Sequence, residues 1–528
     1  YQFYGDASQM TGAGFTQDSN CNLIAGKCAG TCAGASPSSF NIILGCGTGC
    51  FNGNGSHNVV LGTHSGKCAV GGTRNVLIGM CAGTCVNDGK CNVFIGNYSG
   101  ANQYCNDNIA MGCQALCGSG TASNNTGYNN IALGKAAGKD STTGYENVII
   151  GARAGQSNTT GYSAIVIGTD AGASQTDLQE ANVFIGAGAG RRSKKLEDSG
   201  STATGRNVYI GKNAGCYGGN GSNVYIGMEA GRYSCLGCSN VYIGHNVAND
   251  STATGAAELN VAIGYAAAQK LDTGDYNVFL GMYAAKSVTS GSSNIILGCS
   301  AGRCLTTTSH NVMAGTGAGW FNTGGYNIFF GKGAGCGVNG CSNVASANVF
   351  IGEAAGCQNF SGCDNVGLGA GAGRLLTTGG CNTLLGTRAG CCITTGGHNV
   401  VIGRHAEVPI LTGSYQLAIG SGFGRKPWIV GDCDYNVGIG TTIPTAAVGV
   451  GNTAKLSVGI VSAYQLYGDG SNLTGISAGF SPDAQENLYA GTSAGAASDA
   501  DTCYNIALGS NAACSLNSGD NNIVLGCC

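Results

Sequence analysis

Charge and proline are both scarce in this chain. Asp, Glu, Lys and Arg make up 10% of it, against roughly 25% in ordinary globular domains, and there are 5 prolines in 528 residues. With a formal net charge of −3 there is no basic surface to suit nucleic acid or an anionic membrane. No apolar run approaches the roughly 18–20 residues that span a bilayer, so no inserted helix is expected. The shortage of proline, without a Gly-X-Y period, excludes collagen in spite of 96 glycines. Disorder is opposed by an apolar fraction of 43% and by the low net charge. The chain opens on Tyr1 without a basic, then apolar, leader, and is read as a mature product or an excised piece.

What is present is repetition. A five-residue phrase (Asn, a β-branched residue, an apolar residue, Ile or Leu, Gly) recurs along almost the whole chain. It reads NVVLG from Asn58, NVLIG from Asn75, NVFIG from Asn92, NVFLG from Asn277, NIILG from Asn294, NTLLG from Asn382 and NVVIG from Asn399. Anchors 41, 58, 75 and 92 are 17 apart, and so are 260, 277, 294 and 311. Ala164 and Gln416 stand where two further anchors belong. Ala-Gly often follows, as at Ala82-Gly83 and Ala389-Gly390.

A fixed period of this length means one supersecondary unit per copy. The phrase is too short for a helix and has strand composition. Segments such as Thr142-Thr143-Gly144 have turn chemistry. The expected fold is therefore all-β: an elongated β-solenoid, or β-roll, of 17-residue coils stacked roughly 4.8 Å apart.

Three consecutive apolar residues per strand, as in Val93-Phe94-Ile95, imply that both strand faces are covered. One face fills the coil and the other needs a partner. The aromatic middle positions Phe94, Phe184, Tyr209, Tyr225, Tyr242, Phe279 and Phe350 are assigned to the partner face. This predicts an intertwined or side-by-side homotrimer, with Ala-Gly allowing close backbone approach near its axis.

The 29 cysteines suggest an oxidising, extracellular setting. Cys32, Cys50, Cys68 and Cys85 lie nine or ten residues after successive anchors, and Cys336 and Cys357 repeat that register. Stacked columns of this kind fall within disulfide reach. Cys85–Cys91, Cys336–Cys341 and Cys357–Cys363 are within-loop alternatives, and the sequence does not choose between them.

Chemistry-bearing patterns are otherwise thin. Gly motifs such as GAGAGRR from Gly186 lack a nucleotide-binding context. Carboxylates are sparse, no acidic calcium loop appears, and His57, His310 and His398 each precede an anchor in turn positions. No catalytic residue, cofactor or metal ligand is assigned. The basic loop of Arg191, Arg192, Lys194 and Lys195 is read as a solvated loop, with contact to a polyanionic sugar as the rival.

The array resembles the Asn-x-x-Ile-Gly repeats of trimeric adhesin heads and phage tail-fibre shafts. That resemblance implies trimeric β-rolls. NVGIGTTIP from Asn436 and AKLSVGIVSAYQLYGDGSNLTG from Ala454 are similar to connector segments of phage tail-fibre proteins. YQFYGDASQMTG at Tyr1 returns as YQLYGDGSNLTG at Tyr464, so the chain is read as a window on a longer fibrous polypeptide.

The division is then a connector (1–21), a coil array (22–432), a second connector (433–486) and the start of the next array (487–528). The expectation is a non-enzymatic extracellular fibre or adhesin on a virion tail or cell surface. Its partners would be itself, as a homotrimer or longer filament, and a host-cell or surface glycan, with no nucleic acid and no membrane insertion. A β-helical enzyme acting on polysaccharide and an ice-binding protein are the alternatives.

Overall fold

Each five-residue phrase becomes one three-residue strand, and the rest of its coil is turn. The computed structural model describes residues 16–30, 39–49, 55–68, 71–119, 125–175, 181–192, 205–219, 221–234, 237–250, 256–338, 340, 343–421, 427–434, 436–439, 456–458, 485–497 and 501–526. Among these there is no helix. Two contact-defined units are present, Tyr1–Gly459 and Ile460–Cys528.

In the first unit, β1 (Thr16–Gln17) pairs antiparallel with β2 (Leu23–Ala25). From β2 to β24 (Leu417–Ile419), twenty-three strands run parallel, each beside the next in sequence and in unbroken register. At about 4.8 Å per step this stack is about 105 Å long. It is a β-solenoid with one strand per coil. Antiparallel β25 (Ile429–Gly431) ends the parallel run, β26 (Val437–Ile439) reverses again, and β27 (Leu456–Val458) lies parallel to β26. The second unit holds β28 (Leu488–Ala490), β29 (Ile506–Leu508) and β30 (Ile523–Leu525), parallel and in register.

The anchor asparagines explain why the register does not slip. Each lies buried at the entrance of its strand, and each carboxamide bridges two coils. Asn58 donates its backbone N–H and its Nδ2 to Asn41 Oδ1 at 2.9 and 3.0 Å, and Nδ2 also donates to Gly72 O at 2.8 Å. Asn294 does the same toward Asn277 Oδ1 and Thr308 O. Any one-residue slip would break the side-chain ladder as well as the sheet, and bury unpaired amides. At Ala164 the backbone N–H still donates to Asn147 Oδ1 at 3.0 Å, so the stand-in keeps the backbone donor of the rung.

The phrase glycine is the other register lock. Gly96 sits at φ +135, and a Cβ there would lie 2.6 Å from Gly112 O in the next coil. Backbone therefore packs on backbone at that corner, coil after coil.

From β3 (Ile42–Leu44) to β24 the middle residue of each strand is buried in the coil, which corrects the expected orientation. Phe94, Tyr209, Tyr225, Tyr242, Phe279 and Phe350 are fully buried and Phe184 nearly so, all within a single chain. They do not form an inter-chain stripe. The Ala-Gly pair provides the room on the inner side, not at an axis between chains: Ala82 and Ala389 are buried in the same core, and a Cβ at Gly100 would meet the Phe94 ring at 2.3 Å. Phe184, Tyr209, Tyr225 and Tyr242 stack face to face with centroids 4.9–5.0 Å apart, the spacing of the strands themselves. Burying each such ring contributes roughly 1.5–3 kcal/mol.

Candidate functional site

Turning the middle residue inward puts the first and third strand residues outside. The outer sheet face therefore carries two aliphatic columns along the whole stack. Ile295 and Phe330 are 42% and 41% exposed, and Ile109, Ile165, Ile263, Ile351, Leu368 and Ile402 are similar. The pair of columns is roughly 10 Å wide and about 105 Å long, or on the order of 1,000 Å². The largest apolar patch on a typical monomer is about 300–600 Å². The strand is apolar on both faces, as its composition implied, but the middle residue faces the coil and the first and third residues face outward.

The repeat-defining residues Asn58, Asn75, Asn92, Asn277, Asn294, Asn382 and Asn399 are all buried in the ladder and so present nothing to solvent. What solvent meets on the other sides is turn. Tyr128, Tyr145 and Tyr162 stack there with centroids 5.1 and 4.9 Å apart. The histidines that precede anchors stack in the same way, His57 on Phe40, His310 on Tyr326 and His398 on Tyr415. Of the basic loop, Arg191 and Arg192 are exposed, and the Arg192 guanidinium lies against the Tyr217 ring. Lys194 and Lys195 lie outside the described residues.

Cys32, Cys50 and Cys341 also lie outside the described residues. The column register does bring sulfurs together. Burial first, and then the neighbouring Cys68 thiol, push the Cys85 thiol up to about 11. Cys336 and Cys357 are neighbours in the same way, with Cys336 Sγ donating to Cys357 O at 3.2 Å. The hydrogen bond from Cys336, assisted by the Arg374 guanidinium, lowers Cys357 to about 6, and the Cys336 thiol is pushed up in turn.

None of Cys68, Cys85, Cys91, Cys336, Cys357 and Cys363 is in a disulfide. The within-loop pair Cys357–Cys363 is turned apart: Cys357 Sγ donates to Arg374 O in the next coil, and Cys363 Sγ to Ser361 O in its own. Cys91, at φ 59, is exposed while Cys85 is half-buried. Cys304, ten residues after Asn294 and so in the same column register, is disulfide-bonded.

A cluster that the sequence did not suggest joins Cys391, Cys392 and Glu407. Its signal was present in the spacing, since 15 or 16 residues is about one coil. Among the described residues no helix is long and apolar enough to cross a membrane. Compared with known proteins, the chain matches no family model, no curated protein and no solved structure.

Proposed function

We propose that the chain is a non-enzymatic structural fibre, a rigid extracellular shaft of a phage tail fibre or cell-surface filament. Three copies pack side by side through their outer sheet faces, and their turns meet a host-cell or surface glycan receptor. The observation that carries this reading is the unpartnered pair of aliphatic columns. Their area exceeds the roughly 800 Å² per partner of a stable interface. Their period matches that of a second copy, whose columns repeat at the same strand spacing. Mechanically, a stack locked by asparagine and glycine columns sets reach, and turns repeated along it add weak contacts by avidity.

The test is the solution mass of the reduced, intact protein by light scattering. A mass near three times 52.4 kDa supports the reading. A clean monomer that stays soluble at high concentration refutes the packing and with it the shaft. Cleavage of any glycan by the purified protein would refute the non-enzymatic part.

A further inference from the structure

Near the end of the parallel stack, two adjacent thiols and a carboxylate from the following coil converge. Cys391 and Cys392 follow β22 (Thr383–Leu385), and Glu407 follows β23 (Val400–Ile402). Cys391 Sγ lies 3.6 Å from Cys392 Sγ and 3.0 Å from Glu407 Oε1, and the three ligand atoms all lie within 4.8 Å of one another. Glu407 is only 3% exposed. Its Oε1 accepts the Cys391 thiol and the Cys392 backbone N–H at 3.0 Å each, while Oε2 is buried with no hydrogen-bond partner. No cation among the described residues pairs with this carboxylate. A buried carboxylate with an orphaned oxygen is costly unless something of opposite charge meets it.

The distances suit a tetrahedral ion. Zinc–sulfur bonds of about 2.3 Å place two sulfurs about 3.7 Å apart, and a zinc–oxygen bond of about 2.1 Å places sulfur and oxygen about 3.6 Å apart. The sulfur pair already has that separation, and the carboxylate oxygen needs to recede by about half an ångström. We propose that Cys391, Cys392 and Glu407 bind one zinc-class divalent cation, with water as the fourth ligand. Two thiolates exclude calcium and magnesium, which take oxygen ligands.

On binding, both S–H bonds release their protons to solvent, and two metal–sulfur bonds and one metal–oxygen bond form. The net charge of the site passes from −1 to −1 with two protons lost, so affinity rises with pH. Because the ligands come from consecutive coils, the ion acts as a clip between β22 and β23, one coil before the parallel register stops.

The test uses the full chain, reduced and stripped of metal, titrated with cobalt(II). The expected result is a thiolate-to-cobalt charge-transfer band that saturates and is lost in the Cys391→Ser, Cys392→Ser double variant. Glu407→Gln should weaken binding by about tenfold or more. An undiminished band and stoichiometry in the double variant would overturn the proposal. A second readout needs no variant: zinc should protect Cys391 and Cys392 from alkylation while exposed Cys381 and Cys433 go on reacting. Equal labelling of Cys391 and Cys392 with and without zinc would overturn it too.

Discussion

Replacing Asn294 with Ala tests whether the buried ladder, more than the strand composition, holds the register. Asn294 Oδ1 accepts the Asn311 backbone N–H at 3.0 Å and Asn311 Nδ2 at 3.1 Å, and its own Nδ2 donates to Asn277 Oδ1 and Thr308 O at 3.1 Å each. All four bonds go. Asn277 Oδ1 keeps the Asn294 backbone N–H and Asn311 Nδ2 keeps Ser309 O, so those two groups are only partly stranded. The Asn311 N–H is left buried with no acceptor. One orphaned buried donor costs about 1–3 kcal/mol and each of the three further lost bonds about 0.5–1.5, which gives roughly 2.5–7.5 kcal/mol locally. Because each coil touches only its neighbours, the loss stays near β17 (Ile295–Leu297) and β18 (Val312–Ala314). Hydrogen exchange read by mass spectrometry should show protection there falling by about 70-fold or more, with β4 (Val59–Leu61) unchanged. Unchanged protection at Asn311 would refute the ladder as the register lock.

Four further outcomes are expected. Gly96→Ala forces a Cβ against Gly112 O at 2.6 Å and an L residue to φ +135; about 3 kcal/mol or more should be lost, seen as new proteolytic cutting at that coil in mild urea, and wild-type resistance would contradict it. Ile295→Lys with Phe330→Lys places two charges on the outer columns and should reduce the light-scattering mass to that of one chain while leaving the circular dichroism spectrum intact; an unaltered mass would place any interface elsewhere. Burial raises the Tyr209 and Tyr242 phenols well above the usual value. Their contribution is complete below the unfolded value of about 10 and is lost as pH rises through the folded one, so stability falls above about pH 10 and these tyrosines ionise only as the stack opens; complete, instantaneous ionisation of every tyrosine in a pH jump would argue otherwise. Cys357, lowered to about 6, should alkylate at pH 7 well before Cys85, raised to about 11; equal rates in a timed mass-spectrometric series would dismiss the pairing with Cys336.

The period, the strand in each copy and the parallel stack were legible because a 17-residue recurrence leaves few other folds open. The facing of the strand was not. Val93-Phe94-Ile95 is apolar at all three positions, so the alternation that normally separates inside from outside is missing. A signal did exist in the variation between copies. The outer positions stay almost uniformly β-branched or aliphatic, while the middle one ranges from Tyr242 through Ala262 to Gly367. That range belongs to a core where neighbours exchange volume: a Cβ on Gly367 would lie 2.7 Å from the Phe350 ring, so the small residue in one coil makes room for the large one beside it. The Cys391, Cys392 and Glu407 cluster was hidden for another reason. Its members are adjacent only after the chain has gone once round the coil, and one of them is a lone carboxylate in a chain with few.

Where the parallel run meets an antiparallel neighbour, the ladder takes on other partners. Along the array an anchor takes its oxygen from the asparagine one coil earlier, and at Asn22 the partner is different. Asp18 takes that place: Oδ1 accepts the Asn22 backbone N–H at 2.9 Å and Oδ2 accepts Asn22 Nδ2 at 2.8 Å, across the turn that makes β1 antiparallel to β2. These bonds, the side-chain one foremost, hold the Asp18 carboxyl below the ordinary range. Asp432 does the same for Asn436 at 2.9 Å to both groups, across the turn between β25 and β26. At the other end Gln416 still donates its backbone N–H to Asn399 Oδ1, but its longer side chain folds back to Ile410, accepting at Oε1 and donating from Nε2. β25 then pairs antiparallel with β24. The carboxylate four residues before Asn22 or Asn436 thus stands in for an anchor where strands turn antiparallel, and the longer Gln416 turns its carboxamide back on its own coil.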